Sequence, residues 1–306
     1  MVTTLQAEEL VLAYWTTERV ASIDHDPYAT EPLPPIPDDE LPLGSEFDAQ
    51  GIIPSTVGRL LYTEPYEDGF RDSSCTATIL QSANEATIVT AAHCLKPHPT
   101  VSNNTEWHTN VLFLPGFRDD GPQVNFTLNR AFLLSGWVSG PEVEDDQYRN
   151  DRAFAVLNLH SPAQRSGRAS LGPGQLIQFV KNATDYDLVY NLGYPRYVAA
   201  PDEFREGTPA FTGRRLAACY GKPEIWWRFP SNLAGFPCQM GGGSSGGPHL
   251  AEFNADEGVG TVVSVNSVLD RSDQNTLPLL ELGSTVNDDL AKQLFEAAQA
   301  VKPSIF

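Results

Sequence analysis

Three residues with the chemistry to transfer an acyl group lie far apart in the chain. Acyl transfer by a serine needs a hydroxyl, a base that takes its proton and a carboxylate that orients the base. The candidates are Ser245 in Gly243-Ser-Ser-Gly-Gly-Pro248, His93 in Thr90-Ala-Ala-His-Cys94, and Asp151 at the head of the apolar run 153–159.

The loop from Cys238 to His249 can be interpreted in two ways. Its run GGGSSGG has the composition of a flexible linker, since glycine and serine populate many backbone states. Small residues also let backbone N–H groups approach a substrate carbonyl, as an oxyanion-binding loop requires. A lone histidine beside a cysteine, or an aspartate at the start of a strand, is usually structural. The prediction of an active site therefore depends on His93, Asp151 and the loop together.

The four cysteines are regularly spaced. Cys75 and Cys94 are 19 positions apart, as are Cys219 and Cys238, and no CxxC pair is present. This spacing argues against a zinc site or a redox motif and favours two local disulfides, each worth roughly 3 kcal/mol by loop closure. Disulfides indicate an oxidising compartment. The N-terminus lacks the basic and apolar regions of a signal peptide, so the expectation of secretion rests on the cysteines.

The composition narrows the classes of partner. The chain has 306 residues, of which 20 are Lys or Arg and 39 are Asp or Glu, a net charge of -19. Such a chain repels nucleic acid and anionic lipid, and it has no apolar run of about 18 residues that would span a membrane. The other histidines show no metal-ligand spacing and no phosphate-binding glycine motif occurs, so we expect neither a metal nor a cofactor.

The pattern along the chain predicts a small N-terminal part and a larger β-rich part. Residues 5–23 have the pattern of a short helix, and a proline-rich acidic segment follows to residue 40, so we separate 1–54 from a domain at 55–306. The larger part is predicted to be all-β. Its candidate strands are 57–63, 76–80, 86–90, 111–114, 126–128, 154–159, 176–180, 188–192, 225–229, 248–253 and 261–269.

The C-terminus departs from the β pattern. Apolar residues repeat there at steps of three and four, which predicts an amphipathic helix. The predicted apolar face comprises Val286, Leu290, Leu294, Ala297 and Val301.

The order TAAHC, Asp-x-Ala and GxSGGP resembles the three signatures of the chymotrypsin-like serine endopeptidases. The spacings agree, with 151 − 93 = 58 and 245 − 151 = 94. The resemblance covers about residues 57–300 and implies two six-stranded antiparallel β-barrels, with the active site between them and a C-terminal helix. It further implies that His93 is the general base, Asp151 its orienting carboxylate and Ser245 the nucleophile. The N–H groups of Gly243 and Ser245 would form the oxyanion hole.

Other stretches resemble a narrower branch, the secreted bacterial and fungal glutamyl endopeptidase-like enzymes. The mature domains of that branch resemble Val57-Gly-Arg-Leu60 and Leu192-Gly-Tyr-Pro195, and actinobacterial pro-segments resemble Tyr14-Trp-Thr-Thr-Glu-Arg19. The resemblance implies a secreted zymogen that acts on proteins or peptides, and we expect a monomer. The main alternative is a catalytically inactive homologue that serves as a binding module. An esterase is less compatible, because α/β-hydrolases alternate strands and helices.

Ser244 marks a departure from animal trypsins. Those enzymes carry an aspartate at this position, and it pairs with a newly cut N-terminal amine, which a serine cannot do. Ile52-Ile-Pro-Ser-Thr-Val-Gly58 superficially resembles their activation site. We therefore expect residues 1–54 to act as a removable pro-segment, as a folding aid or a cleft cover, without N-terminal insertion. The alternative is a tail with no inhibitory role.

The specificity pocket is assigned by distance from the nucleophile. Six residues are predicted to line its two walls: Gln239, Met240 and Gly241 on one side, and Ser264, Val265 and Asn266, which begin 19 positions after Ser245, on the other. Gln239 is neutral, which does not support a preference for Arg or Lys. Val263 stands where a histidine would favour glutamate, and Asn266 would narrow the pocket. A polar or small side chain is therefore expected.

Overall fold

The computed structural model describes most of the chain. The described residues are 5–23, 44–48, 51–66, 69–98, 106–118, 124–139, 148–159, 173–179, 181–199, 204–205, 211–225, 233–270, 280–285 and 288–303. Strands dominate these ranges, and the fold is all-β with a C-terminal helix, as predicted. Among the described residues, no helix has the length and apolar character to cross a membrane.

Six strands close into an antiparallel barrel in the N-terminal half. They pair in the order β2-β3-β4-β7-β6-β5. Buried apolar side chains from each strand fill the interior, which stabilises the barrel because apolar surface is removed from water. The strands are β2 (Val57–Tyr66), β3 (Gly69–Ile79), β4 (Thr87–Thr90), β5 (Thr109–Pro115), β6 (Phe126–Leu133) and β7 (Ala153–Leu157).

The C-terminal half is a nine-stranded sheet. Eight strands follow the order β1-β12-β9-β15-β16-β17-β14-β13, and β8 pairs with β16. The Cys219–Cys238 disulfide connects β12 with the residue after β14, although four strands lie between β12 and β14 in this order, which shows that the sheet curls. Its strands are β1 (Ser45–Glu46), β8 (Leu176–Ile177), β9 (Val189–Gly193), β12 (Ala217–Gly221), β13 (Glu224–Ile225), β14 (Leu233–Pro237), β15 (Pro248–Asn254), β16 (Val259–Asp270) and β17 (Leu280–Thr285). A separate hairpin joins β10 (Val198–Ala199) to β11 (Phe204–Arg205).

Five α-helices occur in the described ranges: α1 (Leu5–Tyr14), α2 (Thr17–Ser22), α3 (Ile53–Thr56), α4 (Ser135–Ser139) and α5 (Asp289–Gln299). The predicted helix over 5–23 is thus two helices, because Thr16 adopts an extended conformation and caps α2. Helix α5 forms as predicted, but its buried face is Ala291, Phe295 and Ala298, whereas Leu290 is exposed. Of the other predicted residues, Leu294 and Val301 are half-buried against the core and Ala297 is exposed, while Val286 lies outside the described residues.

The strand predictions located the longer strands and missed several short ones. The missed strands are β1, β10, β11, β12, β14 and β17. Strand β1 lies within the segment expected to be an N-terminal extension. Ser45 and Glu46 pair with Ala218 and Ala217, so these residues form one edge of the C-terminal sheet.

Candidate active site

His93 and Asp151 are held together by two hydrogen bonds. His93 lies in a short 3-10 helix that follows β4, and Asp151 precedes β7, which pairs with β4. The Nδ1 atom of His93 lies 2.7 Å from Asp151 Oδ2, and the backbone N–H of His93 donates to Oδ1 at 2.9 Å. Because a carboxylate accepts, Nδ1 carries the proton, which leaves Nε2 free to act as a base.

Ser267 completes the surroundings of this carboxylate. Its hydroxyl donates to Asp151 Oδ2 at 2.6 Å, across 116 positions of sequence. Asp151 is 1% exposed, and a polar group buried to this extent needs hydrogen-bond partners to offset its loss of contact with water. Ser267 was not predicted, because a single serine in a long strand gives no signal of its own in the sequence.

The charge of Asp151 changes the titration of His93. Burial disfavours the charged imidazolium, but the charge and hydrogen bond of Asp151 outweigh it, with a smaller contribution from Glu64. The net effect raises the pKa of His93 above its ordinary value. A raised pKa makes the imidazole a stronger base toward a hydroxyl proton.

The glycine-rich loop has a defined conformation. Gly243 and Gly246 have φ angles of 104° and 78°, which favour glycine. A side chain at Gly243 would meet the backbone oxygen of Tyr194 at 2.4 Å. The linker interpretation is therefore wrong, because this loop is buried and its glycines are required by both backbone angle and space.

Some backbone N–H groups of the loop have no hydrogen-bond acceptor among the described residues. Within the described ranges, no acceptor is recorded for the N–H groups of Gly242, Gly243 and Ser245, whereas Ser244, Gly246 and Gly247 donate to Gly241, Asn266 and Ser244. A backbone donor left without an acceptor is uncommon in a folded protein. The N–H groups of Gly243 and Ser245 are the two that the resemblance assigns to the oxyanion hole.

Strand β3 connects Ser245 to the half of the molecule that carries His93. The N–H of Thr76 donates to the carbonyl of Ser245 at 2.8 Å, and the Thr76 hydroxyl donates to the carbonyl of Gly243 at 2.8 Å. The Cys75–Cys94 disulfide lies beside the same point, with Cys94 Sγ 3.8 Å from the Ser245 carbonyl oxygen. The structure thus brings the loop to the turn that carries the histidine.

Both disulfides form between the predicted cysteines, Cys75 with Cys94 and Cys219 with Cys238. Cys75, His93 and Cys94 also present potential ligand atoms within 4.8 Å of one another. The two sulfurs are bonded to each other, so they cannot coordinate a metal as thiolates.

The first predicted wall of the specificity pocket, residues 239–241, is half-buried at its first residue and buried at the other two. Gln239 is half-buried, and its amide donates to the carbonyl of Ala199 at 3.2 Å. Met240 is buried, and Gly241 packs so closely on Tyr197 that a side chain there would meet the ring at 2.3 Å. Tyr197 therefore packs directly against the loop at Gly241, a contact that the sequence did not indicate.

The second predicted wall lies inside the protein. Ser264 and Val265 are 0% exposed and Asn266 is 1% exposed, so their side chains lie below the surface. The next residues of the strand, Ser267, Val268 and Leu269, are half-buried. Within β16, the partly exposed stretch beside Asp151 therefore begins three residues later than the predicted wall.

Ser244 and Ile52 lie at opposite ends of β15. The hydroxyl of Ser244 donates to the carbonyl of Gly241 at 2.8 Å, just before the strand begins. The N–H of Ile52 donates to the carbonyl of Glu257 at 2.9 Å, beyond the end of the strand. Ile52 is therefore not beside Ser244.

Comparison with known proteins identifies the fold. Neither a scan against models of protein families nor a search of curated proteins found a match. Among solved structures, the protease Anisep from Arthrobacter nicotinovorans matches with a TM-score of 0.62 at 22% identity, over 84% of this chain and 99% of that chain. The thermostable serine protease AL20 from an extremophilic microorganism matches with a TM-score of 0.61 at 24% identity, over 82% and 100%. The architecture described above, shared with these proteases, is the chymotrypsin-like fold.

Proposed function

We propose that the chain is a serine endopeptidase that cleaves peptide bonds through an acyl-enzyme intermediate. The observation that carries the proposal is the arrangement of His93 on the buried carboxylate of Asp151, beside a glycine-rich loop that contains Ser245. The similarity to two solved proteases supports the same activity. The two disulfides are compatible with secretion, which we include in the proposal.

In the proposed mechanism, His93 Nε2 removes the proton of the Ser245 hydroxyl as that oxygen attacks the substrate carbonyl. Asp151 stabilises the imidazolium that forms and keeps the ring in one orientation. The N–H groups of Gly243 and Ser245 donate to the oxyanion of the tetrahedral intermediate. His93 then returns the proton to the departing amine, and a water molecule repeats the sequence on the acyl-enzyme.

The experiment compares labelling of the full chain and of Ser245→Ala by a serine-directed phosphonate, before and after proteolytic removal of the N-terminal segment. Ser244→Ala is the matched control, since it removes the neighbouring hydroxyl. We expect labelling of the wild type and of Ser244→Ala, and none of Ser245→Ala. Equal labelling of the Ser245→Ala variant, or no labelling of the processed wild type, would contradict the proposal and favour a binding module.

For specificity, we propose that the residue before the cleaved bond is small or polar. Gln239 supplies no negative charge to bind Arg or Lys. A preference for glutamate would be supported by a histidine, but Val263 stands before Ser264 and Asn266 stands before Ser267. Cleavage of a peptide library, read by mass spectrometry, measures this preference. A strict requirement for Arg or Lys would show that the pocket is lined by other groups.

A further inference from the structure

The N-terminal helices α1 and α2 are attached to the barrel by a set of specific polar contacts. The Tyr14 hydroxyl donates to Asp72 Oδ1 at 2.8 Å, and Arg19 donates to Asp72 Oδ2 at 2.7 Å. The indole N–H of Trp15 donates to the carbonyl of Asn110 at 2.6 Å. Trp15 is 8% exposed, so its ring is covered by the barrel surface.

The barrel side of this contact is organised for its occupant. Asp72 also accepts from the Thr63 hydroxyl at 2.7 Å, which fixes the carboxylate. Asn110 has a φ of 51°, a left-handed conformation that costs roughly 1–2 kcal/mol for residues other than glycine and is best tolerated by Asn and Asp. Its side chain donates to Thr63 at 3.1 Å. These bonds hold the acceptors for Trp15 and Arg19 in place.

Helix α1 shares a pocket with Leu95, the residue that follows the turn carrying His93. A pocket between α1 and the barrel is lined by Glu8, Leu95 and His108, among other residues. The N–H of His108 donates to the carbonyl of Leu95 at 2.9 Å, and its Nδ1 lies 3.2 Å from the carbonyl of Cys94. Through His108, the surface that receives α1 is connected to the two residues after His93.

Residues from Gly44 onward contact a different part of the molecule from residues 5–23. Ser45 and Glu46 pair with β12, and Phe47 donates to the carbonyl of Leu216 at 2.9 Å. Gly44 has a φ of 113°, and a side chain there would meet the sulfur of Cys219 at 2.8 Å. Residues from 44 onward are therefore built into the C-terminal sheet, whereas 5–23 lie on the other half.

We propose that residues 5–22 are a separable ligand of the N-terminal barrel, which stays bound without a covalent link after a cut before Gly44 and holds the His93 turn in place. The inference rests on the proposed function and deepens it, since it identifies which part of the expected pro-segment at 1–54 remains associated with the barrel. It replaces a boundary at residue 54 with one that keeps 44–54 in the mature chain.

The test uses full-length chain carrying Ser245→Ala, so that its outcome does not depend on peptidase activity. A recognition site for a sequence-specific protease is inserted between Pro34 and Pro35, and the cut chain is analysed by gel filtration and by titration at decreasing concentration. We expect the fragment to co-elute with the body. Asp72→Asn and Arg19→Ala should each raise the dissociation constant about 10-fold or more, because each breaks a hydrogen bond to a charged group. Glu9→Gln, on an exposed face of α1, is the matched control and should leave the constant unchanged.

Separate elution of the unmutated fragment, or equal constants for Asp72→Asn and Glu9→Gln, would overturn the proposed binding. Hydrogen exchange of the Leu95 and Lys96 amides, which donate to Ala92, tests the effect on the His93 turn. Exchange should accelerate when the fragment is removed. An unchanged rate would overturn the bracing role. If the chain with Ser245 intact failed to react with the phosphonate, that would count against the proposed peptidase activity. It would not change the outcome of the binding and exchange measurements.

A second inference rests on different contacts, those of Asn266. Its Nδ2 donates to Asn191 Oδ1 at 2.6 Å and to the carbonyl oxygen of Ser244 at 3.2 Å. Its Oδ1 lies 2.7 Å from His249 Nε2. Because this oxygen accepts, His249 carries a proton on Nε2, and burial lowers the pKa of His249 to about 4, so the ring stays neutral.

The carbonyl of Ser244 belongs to the same peptide unit as the N–H of Ser245. A trans peptide is planar, with its N–H pointing opposite to its C=O. Donors on the carbonyl of Ser244, Asn266 Nδ2 and the N–H of Gly247 at 2.9 Å, therefore also set the direction of the Ser245 N–H. We infer that Asn266 is a positioning residue for the oxyanion hole, an inference that rests on the proposed function.

The test measures kcat and KM of Asn266→Asp and Asn266→Ala, together with their affinity for a peptide aldehyde, which forms a tetrahedral oxyanion with the nucleophile. We expect kcat and aldehyde affinity to fall about 10-fold or more with little change in KM, a fraction of the ~10²–10³-fold effect of losing an oxyanion donor. Ser264→Ala, also buried on β16, is the control. A change in KM alone, or equal effects at Ser264, would overturn this inference. An inactive wild type would instead count against the proposed function.

Discussion

At the scale of single residues, the site depends on a carboxylate that is removed from water and fully engaged. Asp151 receives the backbone N–H and the ring of His93 and the hydroxyl of Ser267. Each donor stabilises the ionised form, which offsets the cost of burying a charge. The imidazole is therefore fixed in the tautomer with the proton on Nδ1, which leaves Nε2 available to accept a proton.

The first prediction concerns Asp151→Asn. An amide at this position presents a donor where the carboxylate accepts, so His93 adopts the wrong tautomer and kcat should fall about 10⁴-fold. Ser267→Ala removes one hydrogen bond from the same carboxylate and should cost about 10-fold. Asp256→Asn, in an exposed turn, is the matched control. Steady-state hydrolysis of a peptide substrate measures all three, and an Asp151→Asn variant as active as the control would contradict the assignment.

The second prediction concerns pH. A general base must be neutral, so protonation of His93 removes activity. Its raised pKa places the acid limb of the kcat/KM profile above about 6.5, the ordinary value for histidine. Activity should increase as the pH rises through this limb. Ser267→Ala should leave the limb in the same range. A wild-type limb below pH 6 would show that another group controls the rate.

At the scale of elements, the two disulfides form a matched pair. Each closes a sequence separation of 19 residues, yet Cys75–Cys94 lies beside His93 and Ser245, whereas Cys219–Cys238 precedes the loop at Gln239. Loop closure depends on length, so removal of either should cost a similar stability, about 3 kcal/mol. Because only Cys75–Cys94 lies beside His93 and Ser245, loss of the two disulfides should have different effects on catalysis.

The third prediction therefore compares two double variants. Replacement of Cys75 and Cys94 by alanine should lower kcat, because the turn that carries His93 loses its link to β3. Replacement of Cys219 and Cys238 should mainly raise KM, because the approach to Gln239 is loosened. Urea unfolding and steady-state kinetics measure the two effects. Identical kinetic losses in both variants would show that global stability alone is involved.

Helix α5 is connected to the site by its first turn. Asp288 caps the helix by accepting from the N–H of Ala291 at 2.7 Å, and it also pairs with Arg152, which is 1% exposed and adjacent to Asp151. Burial lowers the pKa of Arg152, and Asp288 opposes that shift. The ion pair thus compensates a buried charge next to the catalytic candidate.

The fourth prediction is that Asp288→Ala lowers the free energy of unfolding by about 3 kcal/mol, since it removes the cap of α5 and the carboxylate that pairs with the buried Arg152 guanidinium. The double variant Arg152→Met with Asp288→Ala should recover part of this loss. Asp289→Ala, one position further along the helix, is the control. Urea unfolding measures these values, and equal losses for Asp288→Ala and Asp289→Ala would contradict the role of the ion pair.

At the scale of the whole molecule, the net charge of -19 acts on every approaching substrate. Opposite charge raises the rate of encounter and like charge lowers it, and salt screens both effects. This property does not depend on the details of the pocket. It therefore offers a test that is separate from the residue preference at the cleaved bond.

The fifth prediction is that kcat/KM for a peptide with several lysines outside the cleaved bond falls about 10-fold as ionic strength rises from ~0.01 M to ~1 M, where the Debye length drops from ~30 Å to ~3 Å. A glutamate-rich peptide with the same residues around the bond should show the opposite trend. Equal salt dependence for the two peptides would show that the overall field has no influence on encounter.

Much of the fold was accessible from the sequence because its signals are local. Alternating and apolar runs located the longer strands, and Ser245, His93 and Asp151 were found from short motifs. Strands of two residues, such as Ser45–Glu46, carry no local pattern and exist only through their partners. The fully buried residues of α5, with Phe295 at their centre, were missed for the same reason, since packing against the barrel decides which side chains are covered.

By itself the sequence determined the disulfide pairing and the β-rich class, from residues that are close in the chain or regularly spaced. It gave the candidate triad from three short motifs that resemble those of the chymotrypsin-like serine endopeptidases. Only the tertiary structure decided that Ser267 reaches Asp151 and that Ser264, which was predicted to line the specificity pocket, is fully buried. The physical reason lies in strand β16, where the pairing with β17 shifts between Asn266 and Val268. An irregularity of this kind changes which side of the sheet later residues face, so a count along the chain cannot tell which side chains reach the site.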